Sequence, residues 1–344
     1  MADSAGTVGP MRRAVWTKTG LELVDDDAGA LEPGWVRLRV EACGICGSDL
    51  HFWHGHLRRP LDTSPGHELA GTVIDGPAGL ADVRYAVSPN VVCGTCEFCR
   101  TGRTNLCGKG GPGLGLGRNG GLADVVDAPA ANLAPIPDGV DAVTASLTEP
   151  LAVAVRGVGL ANVTPDNTVL VLGAGTIGLC AALVARDRAA RVAITARHPH
   201  QRAAAEQLGV MVLGEDEAVS WGKEHRPDVV LESVGGAADT VDDAIRVVRR
   251  GGRVVILGSF SAPKPIDLQR MMMKEVALLG SFCYGGGERE PEFTTAARLT
   301  GRWRDELDAL TTHQFPLDDV TQAFTTADDK STGAIKVTLL PGRS

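Results

Sequence analysis

Between Cys43 and Gly71 the chain reads CGICGSDLHFWHGHLRRPLDTSPGHELAG. It gathers a thiol at Cys46, a hydroxyl at Ser48, imidazoles at His51 and His67, and a carboxylate at Glu68. A thiolate and an imidazole form the ligand pair that zinc prefers. A catalytic zinc takes about three protein ligands and keeps one position open for a substrate oxygen. The third ligand has to come from elsewhere, and Glu149 in TEPLAVAVRG is the candidate. Taken singly, Cys46 reads as a small core residue and His67 as a hydrogen-bonded core histidine. Together, amid Gly44, Gly47, Gly66 and Gly71 and beside Glu68, they point to a metal site.

A second cluster follows in VCGTCEFCRTGRTNLC, where Cys93, Cys96 and Cys99 are spaced by three and Cys107 lies eight further on. Four thiolates so close in sequence can close around one tetrahedral zinc, and a closed site is structural. The lobe at about residues 90–110 is expected to be pinned by that ion. Residues 108–121, GKGGPGLGLGRNGG, read either as a flexible loop or as a mobile segment near a substrate mouth.

A third constellation binds phosphate. TVLVL at Thr168–Leu172 runs into Gly173-Ala174-Gly175-Thr176-Ile177-Gly178 and then an apolar helix. Such a strand, glycine turn and helix cradle a dinucleotide: the first glycine turns the chain, the second admits the pyrophosphate, and the third lets helix and strand pack. The free N–H groups at the helix start face the anion. Further strands at Arg191–Thr195, Asp228–Glu232 and Arg253–Leu257, with helices at 199–208 and 237–250, predict a doubly wound parallel sheet, a Rossmann domain. Val234 and Leu257 follow two of these strands and are candidates to line the nicotinamide.

An NAD-specific chain places an acid just after the second strand, on the ribose 2′-OH. This chain has Ala196, Arg197 and His198, with Arg202 a turn later. A carboxylate about 5 Å from a 2′-phosphate would repel it by roughly 3 kcal/mol at an effective dielectric of about 20. Losing the acid and gaining cations therefore predicts NADP(H) over NAD(H).

The motifs GHE-x-x-G and CGICGSD-x-H resemble the zinc signature of medium-chain alcohol and polyol dehydrogenases, and most of all the sorbitol, threonine and butanediol branch. The likeness runs from about Met11 to Leu340. It implies a GroES-like, β-rich catalytic domain (residues 1–150 and 290–344) and a Rossmann domain (151–289). It also implies one catalytic and one structural zinc, and reversible oxidation of a secondary alcohol to a ketone. From the pattern Cys-x-Ser-x-x-His, Ser48 would pass the hydroxyl proton outward and His51 would carry it on. Glu68 would exchange with the zinc water, and Asp49 would orient ligands. Glu-Pro-Leu at Glu149 is the branch's own sequence near the metal, and Lys336 in the closing strand would either sit near the cofactor phosphates or be a solvated strand-end lysine. One departure stands out: where relatives carry Gly-Asp-Arg-Val before the cysteine lobe, this chain reads DVRYAV at Asp82–Val87.

The remaining elements are expected to position these groups. Trp35–Val40 and Glu68–Ile74 read as strands, Val143–Leu160 as a helix, and Val276–Phe282 as an edge strand whose exposure predicts a homodimer or homotetramer. Phe52, Trp53, His54, His56 and Phe282 are candidates to line a substrate pocket. Met1–Pro10 reads as a disordered tail. The chain of 344 residues, 44% hydrophobic and 22% charged, suits about two globular domains. Its net charge of −8 lacks the basic field that nucleic-acid binding needs. The apolar run Thr168–Ala185 carries the phosphate-loop glycines, so it reads as a buried strand and helix rather than a membrane span. Cysteines at metal spacings and no secretory signal predict a cytoplasmic enzyme. Three rivals share these domains: a zinc-free enone or quinone reductase, a tailoring reductase acting on C=C or C=N, and a non-catalytic cofactor-binding protein.

Overall fold

The computed structural model describes residues 11–342 apart from 190 and 288. Met1–Pro10, expected as a tail, lies outside the described residues. The chain divides into two compact units. One runs through Glu149 and resumes after Gly287; the other is Pro150–Gly287.

The first unit is built on a seven-stranded sheet. Its strands run in the order Thr311–Pro316, Lys336–Leu340, Trp35–Gly44, Glu68–Asp75, Arg84–Val87 and Leu133–Pro135, and Val125–Pro129 also pairs with Trp35–Gly44. Val36, Leu38 and Val40 alternate into the core, as the period of two requires. They pack with Trp16, Leu69, Phe324 and Leu339. Between them Arg37 is buried because its guanidinium donates to Asp127 at 2.8 and 2.9 Å and to Gly29 O at 2.6 Å. The departure DVRYAV still forms a strand at Arg84–Val87, paired to Glu68–Asp75. An N-terminal hairpin, Met11–Trp16 with Leu21–Asp26, forms a separate two-stranded sheet.

The second unit is a six-stranded, wholly parallel sheet ordered Met211–Leu213, Arg191–Thr195, Thr168–Leu172, Val229–Glu232, Arg253–Ile256 and Ala277–Gly280. In chain order these strands lie 3-2-1-4-5-6, the doubly wound arrangement. The central strands are largely apolar, as burial on both faces requires, with Glu232 a buried exception at the end of Val229–Glu232. Met211–Leu213 and the helix Ala218–His225 carry too weak a pattern to be read from sequence. The helices expected at 199–208 and 237–250 form as Pro199–Gln207 and Thr240–Val247. The apolar run from Thr168 is a strand followed by the helix Thr176–Arg186. Among the described residues, no helix is long and apolar enough to cross a membrane.

One expectation needs correction. Val143–Leu160 is not one helix but two, Ala142–Ser146 and Thr148–Leu160, broken at Leu147. Asp141 caps the first through Thr144 N–H at 2.8 Å. The break places Glu149 and Pro150 in a first helical turn, where an acid meets the dipole and a proline costs no hydrogen bond. The glycine-dense stretch, read as a flexible loop or a mobile segment near a substrate mouth, ends tied to the catalytic sheet. Gly120 N–H donates to Ser64 O at 2.9 Å, Gly121 N–H to Gly66 O at 2.7 Å and Leu122 N–H to Pro65 O at 3.0 Å, so it braces the turn ahead of His67.

Register fixes the centre of the first unit. Gly44 lies opposite Glu68 on one side and Thr338 on the other. A methyl group on Gly44 would collide with the Glu68 carboxylate and the Lys336 stem. Gly44→Ala is therefore expected to destabilise the protein by about 1–3 kcal/mol through overpacking, measured by urea unfolding.

Candidate active site and metal centres

Cys46 follows the strand Trp35–Gly44 and caps the helix Gly47–Trp53, where its N–H donates to Asp49 Oδ2 at 2.9 Å. His67 and Glu68 open the antiparallel neighbour Glu68–Asp75. Ligand atoms of Cys46, His67 and Glu68 all lie within 4.8 Å of one another. Ser48 Oγ stands 3.3 Å from His67 Nε2, so this nitrogen faces the cluster. The other nitrogen, Nδ1, is buried 3.6 Å from Asp49 Oδ1, and neither atom has a hydrogen-bond partner. Burial alone would push the His67 imidazole down, but Asp49, Cys46 and Glu149 outweigh it and hold its pKa well above the ordinary value. A cation at Nε2 satisfies all of this: it replaces the proton there and leaves the Nδ1 proton to Asp49, the usual carboxylate–histidine support of a metal ligand. The donor set fits zinc.

Glu68 is already engaged. Its Oε2 accepts from Lys336 Nζ at 2.5 Å, and the same ammonium donates to Ile45 O at 2.9 Å. Both side chains are almost wholly buried. Burial disfavours the ammonium, but Glu68, Cys46 and Glu149 raise its pKa above the ordinary lysine value. Lys336, expected near cofactor phosphates or at a solvated strand end, is instead a buried partner of Glu68. Glu149 is buried at 7% exposure, and its charge acts on both His67 and Lys336.

His51 is half-buried, with Nδ1 at 3.5 Å from His56 Nδ1. Burial, then the neighbouring His56 and His54, push its pKa below the ordinary imidazole value. His54 and His56 are exposed, and His54 Nε2 donates to Asp328 at 2.8 Å. Phe52 and Trp53 pack beside the core aromatics Trp16 and Phe324. Phe282 is 63% exposed in the other unit.

Cys93, Cys96, Cys99 and Cys107 bring their sulfurs within 4.8 Å of one another. Sulfur atoms on one tetrahedral zinc at about 2.3 Å lie roughly 3.8 Å apart. The Cys96–Cys99 and Cys93–Cys99 separations of 3.5 and 4.0 Å bracket that value. Backbone N–H groups of Thr95 and Cys96 and the Thr95 hydroxyl bring the Cys93 thiol down to about 6. The Cys93 N–H likewise lowers Cys107. Desolvation, then hydrogen bonding with the neighbouring Cys96 and Cys107 thiols, pushes Cys99 up to about 12. The set fits a closed structural zinc.

In the parallel-sheet unit, Gly173 N–H donates to Thr195 Oγ1 at 2.9 Å. Ser233 Oγ donates to Leu172 O at 2.8 Å, joining the first and fourth strands where the sheet order reverses. Any side chain at Gly178 would strike the Gly173 carbonyl, so helix and turn pack as the glycine motif requires. Thr176 and Ile177 open the helix that faces this turn. Val234 is 41% exposed at the crevice. Leu257 packs against Gly157. Ala196 is buried, and its N–H pairs with Leu213 O at 2.9 Å. Arg197 is 66% exposed and pairs with Glu215 at 2.7 Å. His198 caps the helix Pro199–Gln207 and stacks on His200, and Arg202 N–H bonds back to His198 O. Glu215 was not among the candidates, because a carboxylate eighteen residues beyond Arg197 reaches it only through the pairing of the second and third strands.

Residues 32–138 match the profile described as the alcohol dehydrogenase GroES-like domain, and residues 176–301 that described as zinc-binding dehydrogenase. An L-threonine 3-dehydrogenase of Rhizobium etli is 31% identical over 341 residues, covering 92% of this chain and 95% of the relative. The chain belongs to the zinc-binding medium-chain alcohol and polyol dehydrogenases. It is an oxidoreductase of the alcohol dehydrogenase type, interconverting an alcohol and a ketone, with a GroES-like and a Rossmann domain. An L-arabinitol 4-dehydrogenase of Aureobasidium melanogenum is 34% identical over 335 residues, 89% of this chain and 87% of its own. A zinc-binding dehydrogenase of Sinorhizobium meliloti 1021, solved bound to NADP, superposes with a TM-score of 0.86 at 29% identity, covering 97% of this chain and all of that one (100%).

In this dehydrogenase the Lys336–Glu68 pair can be tested directly. Lys336→Met leaves a buried carboxylate without its cation and should cost about 3–5 kcal/mol, read by chemical denaturation at neutral pH. Adding Glu68→Gln, which removes the stranded charge, should restore part of that loss.

Proposed function

We propose that the enzyme oxidises a secondary alcohol of a polyol, cyclitol or amino alcohol to the ketone, and reduces it in reverse, with NADP(H) preferred. The observation that carries this reading is the convergence of Cys46, His67 and Glu68, with Ser48 Oγ against His67 Nε2. Relatives named for L-threonine and L-arabinitol dehydrogenation support a hydroxylated substrate.

In this reading Cys46 and His67 hold the catalytic zinc, with Glu149 beside it. When bound, zinc supplies a Lewis acid that makes the substrate hydroxyl more acidic. Asp49 fixes the His67 ring. Lys336 holds Glu68, so that the carboxylate takes up a zinc position only by giving up its ammonium partner. Ser48 accepts the hydroxyl proton and His51, kept neutral by its surroundings, carries it outward. The carbinol hydride passes to the nicotinamide, so one alcohol yields one ketone, one reduced cofactor and one proton. Cys93, Cys96, Cys99 and Cys107 hold the structural zinc. Cys43, Cys46, Cys93, Cys96, Cys99 and Cys107 form no disulfide, which supports a reducing, cytoplasmic setting.

For the cofactor, Ala196 supplies no acid, and Arg197, His198 and Arg202 stand by to receive a 2′-phosphate. Glu215 competes for Arg197 and tempers the preference. The free edge of Ala277–Gly280, with Leu268, Met272 and Met273 exposed on the adjoining helix, supports self-association.

Metal analysis of the purified enzyme should give about two zincs per chain. Cys46→Ala should lose one of them and all turnover while keeping the wild-type melting temperature. Cys96→Ala should lose the other and melt earlier. Two zincs retained in Cys46→Ala would sink the assignment. Initial rates should give a higher kcat/KM with NADP than with NAD, and Ala196→Asp should reverse that order. Sedimentation at micromolar concentration should find a dimer or tetramer; a monomer would refute the proposed association.

A further inference from the structure

The strand Val229–Glu232 ends on a carboxylate that the reading above does not use. Glu232 lies between Leu172 and Ile256 in the sheet, at the carboxyl ends of the strands, where a doubly wound sheet opens its ligand crevice. It is fully buried. Oε1 accepts from Val234 N–H at 2.8 Å, Gly235 N–H at 3.0 Å and the Thr240 hydroxyl at 2.7 Å. Oε2 is buried with no hydrogen-bond partner among the described residues and stands over Gly258, where any side chain would strike it. The Glu232 carbonyl accepts from Leu257 N–H at 2.8 Å and Gly258 N–H at 3.1 Å. One residue thus fastens the turns that follow the fourth and fifth strands.

A carboxylate removed from water is costly unless its bonds offset the loss, and here one oxygen is bare. What three donors on the other oxygen do fix is a backbone path. Gly235 and Gly236 both take φ of 61°, a left-handed run with little to hold it by itself. Val234 leaves that path with its side chain against Gly173 of the glycine turn. Ser233 is held in another way: its N–H and its hydroxyl both donate to Leu172 O, at 3.0 and 2.8 Å. The Glu232 side chain therefore governs Val234 and Gly235, whereas the turn that cradles the phosphates is secured without it.

We infer that Glu232 is a positioning residue for hydride transfer: its carboxylate sets the turn that presents Val234, which with Leu257 lines the nicotinamide. This rests on the reading of Val234 and Leu257 as nicotinamide-lining residues. The phosphate end of the cofactor does not depend on it.

The test uses the zinc-replete full chain and the variants Glu232→Ala and Glu232→Gln. Without cofactor, amide hydrogen exchange at Val234 and Gly235 should be roughly 10-fold faster or more in Glu232→Ala, since both donors lose their acceptor. It should stay near wild type in Glu232→Gln, whose carbonyl oxygen still accepts. Calorimetry then compares NADPH and NADH with 2′-phospho-ADP-ribose and ADP-ribose, which lack the nicotinamide. Glu232→Ala should weaken the complete cofactors roughly 10-fold, because the competent turn is less populated, and spare both fragments. Glu232→Gln should restore the affinity. Thr240→Val, which deletes one donor and leaves the carboxylate, should give a smaller loss of the same kind and carries the test if Glu232→Ala does not fold. Unchanged exchange in the alanine variant, or equal losses for cofactor and fragment, overturns the positioning role. Val234→Ala tests the underlying reading separately: it should weaken the complete cofactors alone and leave Gly235 exchange as in wild type. No loss in that variant removes Val234 from the nicotinamide, whatever Glu232 does to the turn.

Discussion

The catalytic unit depends on one buried ion pair. Glu68 and Lys336 come from strands on either side of Trp35–Gly44, and between them Gly44 has no side chain to keep them apart. Removed from water, each charge is tolerable only because of the other, and the Ile45 carbonyl takes a further ammonium proton. The pair closes the sheet at the point where Cys46 leaves it and His67 enters. It therefore sets the spacing of Cys46 and His67 as well as the position of the carboxylate beside them.

Around that pair the negative groups outnumber the positive ones. Cys46, Asp49, Glu68 and Glu149 surround His67 and Lys336, and both cations hold their protons more tightly for it. In the four-cysteine lobe the thiols are pushed in opposite directions, Cys93 down by N–H groups and the Thr95 hydroxyl, Cys99 up by desolvation and the neighbouring thiols. A divalent ion relieves both clusters.

The cofactor end is less one-sided. Loss of the acid after the second strand was legible, and Ala196 is indeed buried with its backbone tied to the third strand. What could not be read was that the third strand brings Glu215 to Arg197. Local composition signals a cation free to meet a phosphate; strand pairing supplies that cation with a rival partner. The glycine-dense stretch behaved likewise. Its composition suggests freedom, whereas its backbone bonds to residues 64–66 make it a brace.

Sequence alone determined the parts whose information is local. Ligand spacing in the cysteine lobe, the glycine turn after a buried strand, and the pair Cys46 and His67 were all legible, because short-range geometry and ligand chemistry permit few alternatives. The apolar runs of the parallel sheet were equally plain, since strands buried on both faces leave few polar positions. Tertiary structure alone decided what depends on register. Lys336 meets Glu68 across 268 residues, and His54 meets Asp328 across 274. No pattern within a window encodes which strand lies beside which, and a slip of one residue would turn Lys336 to the other face of the sheet.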